Sequence, residues 1–344
     1  MNPAKKAVGF GTVLARPVCM IPHWAKSIGA MTLTFAALGP VALVVAQVVG
    51  YRIHAAPLDR ELRLTEDAGL PVAPDELNDP DTHGVNGAPE YDDAMRMLVK
   101  VDPALLQRGL TGIDNVVAGK DGKSDRRDAD AVLDASAPAM EKAVLGSVAD
   151  RCEFPRNWTH QDPTPELRPM VKLAKLLAGR AVLESDLSDL LAAALITTHL
   201  GSAPSLAAEH SQDEAIETVC GAAWQIGKRR PDQAQALQGI IDSLPDADLA
   251  DRVGGELVWG RLHSRSDADQ IVMLRKSRAL YEDLVRAKGW DSIDKVLEGV
   301  SDPRWRQTEI ASRKAQERRD TTAQALKMLG MPSGFQDETR RIEV

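Results

Sequence analysis

From Ile28 to Val49 the chain carries no charged residue, and Thr32, Thr34 and Gln47 are its only clearly polar members. At about 1.5 Å per residue this run makes a helix of roughly 33 Å, enough to cross a hydrocarbon core of about 30 Å. Gly39 and Pro40 sit mid-span, where a membrane helix tolerates a kink. A cleaved signal peptide would need a shorter apolar stretch and a small-x-small site, and the end VVAQVVGYR offers a poor one. A buried core helix is the other reading of such a run. The sequence favours a retained signal anchor over residues 28–50, placed in the lipid bilayer. Lys5, Lys6, Arg16 and Lys26 precede it with no acid among them, so residues 1–27 are expected to stay cytoplasmic. The rest of the chain then faces outward from the cell membrane as the extracytoplasmic part of a single-pass protein.

Charge separates the two parts. Of 42 basic residues four lie in the first 50 positions, leaving 38 against all 50 acids, a formal −12 for residues 51–344. Such a surface lacks the clustered cations that displace counterions from a phosphate backbone, so no nucleic-acid partner is expected. Aromatics are only 4% of the chain while apolar residues are 44%. A core of Leu, Ala, Val and Ile in a charge-rich sequence favours helices.

Residues 51–88 read as a linker, with Pro57, Pro71, Pro74 and Pro80, and Pro89 just beyond, recurring among Asp, Asn and Gly. Only 60–68 suggests a short helix there. From 89 to 330 the apolar period is helical, and 331–344 form a C-terminal tail. The expected helices cover 89–101, 128–148, 164–183, 185–200, 206–227, 231–244, 246–263, 267–288, 291–300 and 303–329. Ser185 is expected to cap the fourth, and Leu190, Leu191 and Leu195 to form its buried stripe, with Ser188 and Asp189 off it. Helices of this length joined by short Gly/Pro turns predict an all-α fold: antiparallel hairpins stacked as a bundle or short solenoid.

The candidate chemistry is sparse. Asp79, Asp81, Gly84 and Glu90 have calcium-loop spacing, but His83, Asn86 and Pro89 break the pattern. Gly122-Lys123-Ser124 ends like a phosphate loop without the glycine five residues earlier. His199 and His210 have no His or Cys partner at i+4. Cys152 with His160 and Asp162 suggests a thiol nucleophile, with nothing to orient the base. The run Arg304, Arg306, Arg313, Lys314, Arg318 and Arg319 is interleaved with acids, and Glu309 precedes Arg313 by one helical turn. No catalytic, cofactor-binding or metal residue is assigned. Cys152 and Cys220 are the two cysteines of the outward domain, and a disulfide between them would close a loop of about 68 residues. Cys19 falls on the cytoplasmic side.

The segments LAKLLAGRAVLESDLSDLLAAALITTHLG, AIETVCGAAW, DQAQALQGIIDSLP and GGELVWG, with NGAPEYDDAMRML upstream, carry a resemblance. They resemble a loose group of uncharacterised bacterial proteins with one N-terminal membrane helix and an all-helical extracytoplasmic domain. That resemblance implies an architecture and no activity. The expected function is a membrane-tethered extracytoplasmic scaffold that binds an envelope protein or peptide. The alternative is an envelope hydrolase with an unrecognised active site.

Overall fold

The computed structural model describes Val45, Gln47, residues 56–77 and residues 83–330. The chain divides into two units, residues 1–57 and 58–344. In the first, only Val45, Gln47, Ala56 and Pro57 are described, all helical. The expected membrane span 28–50 therefore lies outside the described residues except at Val45 and Gln47, as does the tail 331–344. Among the described residues no helix is long and apolar enough to cross a membrane.

The described chain is all-helical. Its α-helices are α1 (Ala56–Glu66), α2 (Ala88–Leu98), α3 (Pro103–Ala118) and α4 (Lys123–Ser147). Next come α5 (Leu167–Glu184), α6 (Leu187–Leu200), α7 (Leu206–Arg229) and α8 (Ala234–Asp242). The last four are α9 (Leu249–Leu262), α10 (Asp267–Arg286), α11 (Trp290–Glu298) and α12 (Pro303–Leu329). An isolated parallel bridge, Asn86 to Arg151, is the only β pairing among the described residues.

Local chemistry fixes most of the ends. Asp302 accepts the Arg304 N–H with Pro303 in the first turn, and Ser266 accepts the Asp269 N–H. Ser185 behaves differently. It sits in the left-handed region at φ 58° and closes α5, while Asp186 starts α6 by accepting the Ser188 N–H. Helix α3 has no counterpart among the expected helices. Gly109 and Gly112 weaken its intrinsic preference, yet packing requires both. A Cβ on Gly112 would lie 2.5 Å from the Asp125 carbonyl oxygen of α4.

Two apolar cores form. The larger is built by α2 to α8 and the C-terminal half of α12, through side chains such as Ile113, Met140, Leu173, Leu190, Val219, Leu237 and Leu326. The smaller gathers Leu70, Val72, Leu206, Val253, Leu257, Leu274, Leu284, Leu297 and Trp305. Helix α12 contributes to both, which makes it the strap across the domain.

The linker expectation is corrected for its described part. Leu70 and Val72 are buried in the smaller core, and Glu61 of α1 is 5% exposed. Arg275 holds Glu61 at 2.8 Å and Arg278 at 3.3 Å. Apolar residues and an acid matched to α10 dock this segment despite its prolines.

The stripe on α6 is corrected as well. Leu190 is fully buried, but Leu191 is 44% exposed and Leu195 only partly buried. Asp189 is buried and paired with Arg180 through two bonds of 2.5 and 2.6 Å. Helix α6 touches α4, α5 and α7, so several flanks are covered and a single stripe does not describe it. Leu190→Ala is expected to cost about 2–5 kcal/mol through lost transfer energy and a cavity. Leu191→Ala should cost less than about 1 kcal/mol. Urea unfolding of the two variants checks the contrast, which similar midpoints would refute.

Candidate functional site

Helix α7 is the hub, packed against α3, α5, α6, α9 and α12. Along its outer side runs an open furrow made of two hollows. One, about 690 Å³, lies among Leu110, Leu167, Val171, Ala207 and the polar side chains Arg168, Lys172, His210 and Ser211. The other, about 530 Å³, lies among Asp114, Val117, Thr218, Gly221, Lys314 and Thr321. Lys175 and Glu214 line both, and their 2.9 Å ion pair, with Asp114 at 3.1 Å from the same ammonium, forms the neck. From Ala207 to Gly221 the floor is about 21 Å long.

The charges of the furrow are not equivalent. Lys175 is matched by two carboxylates, and Lys314 is paired with Glu217 at 2.7 Å. Arg168 and Lys172 have no carboxylate partner among the described residues. They stand one turn apart on α5, beside the first turns of both α5 and α7. The sequence carries this spacing, Arg168, Lys172 and Lys175 at i, i+4 and i+7, but its meaning depends on which neighbours supply acids.

The residues singled out from the sequence are dispersed. Asp79 and Asp81 lie outside the described residues, and Glu90 is held by Lys142 at 2.7 Å. Gly122 is the N-cap of α4, its N–H donated to the Asp125 carboxylate at 2.8 Å. His199 is buried and its Nδ1 meets the Tyr91 hydroxyl at 2.8 Å. Burial depresses its pKa, opposed by a bond to the Ala149 backbone. His210 is exposed on the furrow. His160 is exposed beside Asn157, and Asp162 takes the Thr164 N–H. The basic run on α12 is largely spent on packing: Arg304 on Glu256 and Asp302, Arg306 on Asp294, and Arg319 on the Leu244 and Pro245 carbonyls. The expected Glu309–Arg313 pair stands at 3.7 Å.

The expected disulfide is corrected. Cys152 and Cys220 are both free, buried thiols. Cys152 lies against Tyr91, and its backbone oxygen accepts the Ser202 hydroxyl at 2.7 Å; Cys220 contacts Thr322 of α12. The loop holding Cys152 docks on α2 and on the turn that follows α6, whereas Cys220 faces α12. Burial pushes each thiol up to about 12, so neither is a nucleophile at neutral pH. Both should resist alkylation in the folded protein and label fully after denaturation, as mass spectrometry would show. A recovered Cys152–Cys220 crosslinked peptide would refute this.

A third hollow, about 520 Å³ between α9, α10, α11 and the start of α12, brings Glu256, Asp302, Trp259 and Trp305 together. Burial raises Glu256, and a bond from Arg304 lowers Asp302. Arg304 binds both carboxylates, at 3.1 and 2.7 Å, and Glu256 also accepts the Leu206 N–H at 3.1 Å. Those acids are occupied in joining α7, α9 and α12. Among the described residues no group of three His, Cys, Asp or Glu side chains is placed to hold a metal ion. No family model, curated protein or solved structure matches the chain.

Proposed function

We propose that this protein is a membrane-tethered, extracytoplasmic helical scaffold that binds an envelope protein through an extended peptide segment laid in the α7 furrow. The anchor is residues 28–50, with 1–27 on the cytoplasmic side, as in the bacterial group that the sequence resembles. The furrow carries the reading: it is long, open, walled by four helices, and lined by apolar side chains, the ion pairs of Lys175 and Lys314 and the uncompensated Arg168 and Lys172, without a nucleophile and base in contact. A tether that keeps such a furrow at the membrane raises the effective concentration of a partner held there.

Photocrosslinking in intact cells tests it. A photoreactive residue at His210, inside the furrow, should capture a defined partner. The same group at Lys295, exposed on α11, should not. Equal capture at both positions, or none at His210, would overturn the proposal. External protease on intact cells should degrade the domain and leave the anchor in the membrane; a protected domain would reverse the topology.

A further inference from the structure

We infer that the end of the furrow beside the starts of α5 and α7 binds the C-terminal carboxylate of the partner peptide, with Arg168 and Lys172 as its cations; this rests on the scaffold reading above. Four observations converge there. Among the described residues Arg168, which is exposed, and Lys172, which is half-buried, have no carboxylate partner, whereas the other furrow lysines, Lys175 and Lys314, are paired. The two side chains project from one face of α5, four residues apart, on the wall of the 690 Å³ hollow. His210 and Ser211 stand opposite on α7 and add hydrogen-bonding groups. Helix α5 begins at this hollow without a side-chain cap, so the positive end of its dipole faces it, whereas the start of α7 is held by Ser205 and Glu256.

The acids at this end do not cancel the cations. Asp162 accepts the Thr164 N–H at 3.1 Å and keeps its one negative charge against the two cations of Arg168 and Lys172, while Glu214 is turned to Lys175. From this end the furrow runs along α7 for about 21 Å, the length of roughly six extended residues. A chain entering with its carboxylate between Arg168 and Lys172 would pass the Lys175 neck and lie over Val117, Thr218 and Gly221. The far end is mixed in charge, with Arg318 beside Glu217 and Glu317, so it gives an anionic terminus no comparable pull. Carboxylate capture of this kind supplies both affinity and direction, because a charge-assisted bond forms at one end only.

The test uses the full chain in nanodiscs and two random octapeptide libraries attached through their N-termini, one ending in free carboxylates and one in amides. Retained peptides should come from the free-acid library, and each amide twin should bind at least roughly tenfold more weakly, as expected for losing a charge-assisted contact. Arg168→Glu with Lys172→Glu should abolish retention. Lys120→Glu with Lys123→Glu, the same charge change at exposed positions off the furrow, should leave it intact. Equal binding of acids and amides would sink the carboxylate assignment and leave the scaffold standing. Retained amides rich in Asp or Glu would show that the pocket reads side chains instead of the terminus. Retention from neither library would sink both readings.

Discussion

Gly255→Ala should destabilise the domain by about 3 kcal/mol or more, at the upper end of what overpacking a tight interior costs. A Cβ at this position of α9 would lie 1.5 Å from the Pro204 carbonyl oxygen and 2.6 Å from its carbon. Both are backbone atoms, so no side-chain rotation relieves the contact. The segment that would have to move is also clamped by Arg252, whose guanidinium donates to the Gly201 and Ala203 carbonyls at 2.9 and 3.3 Å. Gly239→Ala supplies the contrast. Gly239 is an exposed helical position on α8 where a Cβ would meet nothing within 4 Å. There the substitution should stabilise by about 0.5–1 kcal/mol, because alanine loses less backbone freedom in a helix. Urea midpoints moving in opposite directions confirm the pair; a midpoint for Gly255→Ala within error of the parent refutes the close approach.

Asp213 should contribute a fall in stability as pH rises from about 4 to about 8, opposed in part by the depressed His199, and Asp213→Asn should remove that contribution. Asp213 of α7 is 4% exposed, and its carboxylate accepts the Ser312 hydroxyl of α12 at 2.7 Å. Burial pushes it up to about 8; the Ser312 bond and Arg252 hold it down, while Glu209 and Glu217 push it further up. The nearest buried cation, Arg252, is already engaged by Glu209 at 2.8 Å, and Glu309, also buried on α12, leaves one oxygen without a hydrogen bond. The joint of α7, α9 and α12 thus holds more carboxylates than buried cations.

The folded-state value lies above the ordinary 3.8. Between these two values the folded protein binds a proton that the unfolded chain has released, so the slope of unfolding free energy with pH is negative there. The contribution is intact below about pH 4, declines up to about pH 8 and is flat beyond. At about 1.4 kcal/mol per pH unit the interval is worth on the order of 5 kcal/mol. Asparagine keeps an oxygen for Ser312 and carries no charge, so the variant should be the more stable protein above pH 8. Urea unfolding at a series of pH values, monitored by circular dichroism, measures both curves. Parallel curves for parent and variant would refute the assignment.

The sequence by itself determined what depends on neighbours along the chain. The all-helical character follows from the 3.6-residue apolar period. Helix starts such as Asp302-Pro303 and Ser266 are set by side chains bonding to backbone two or three residues away, and α12 keeps the bounds that the sequence predicts. Expected ends elsewhere differ by a few residues, where the capping chemistry was split between adjacent residues, as at Ser185 and Asp186. The tertiary structure alone decided the rest. Leu191 is exposed and Asp189 buried because α6 is covered on more than one flank, which its own pattern does not encode. The segment 58–72 is docked because Arg275 and Arg278 lie more than 200 residues later and meet Glu61 in space. Helix α3 forms against α4 through glycines that argue against a helix in isolation. Cys152 and Cys220 stay apart because each is packed among different helices. The cations of α5 become a candidate site only where α3, α7 and α12 place their acids. Hydrogen bonds along a helix are short-range and readable in order, whereas burial and charge compensation belong to the set of neighbours that the fold assembles.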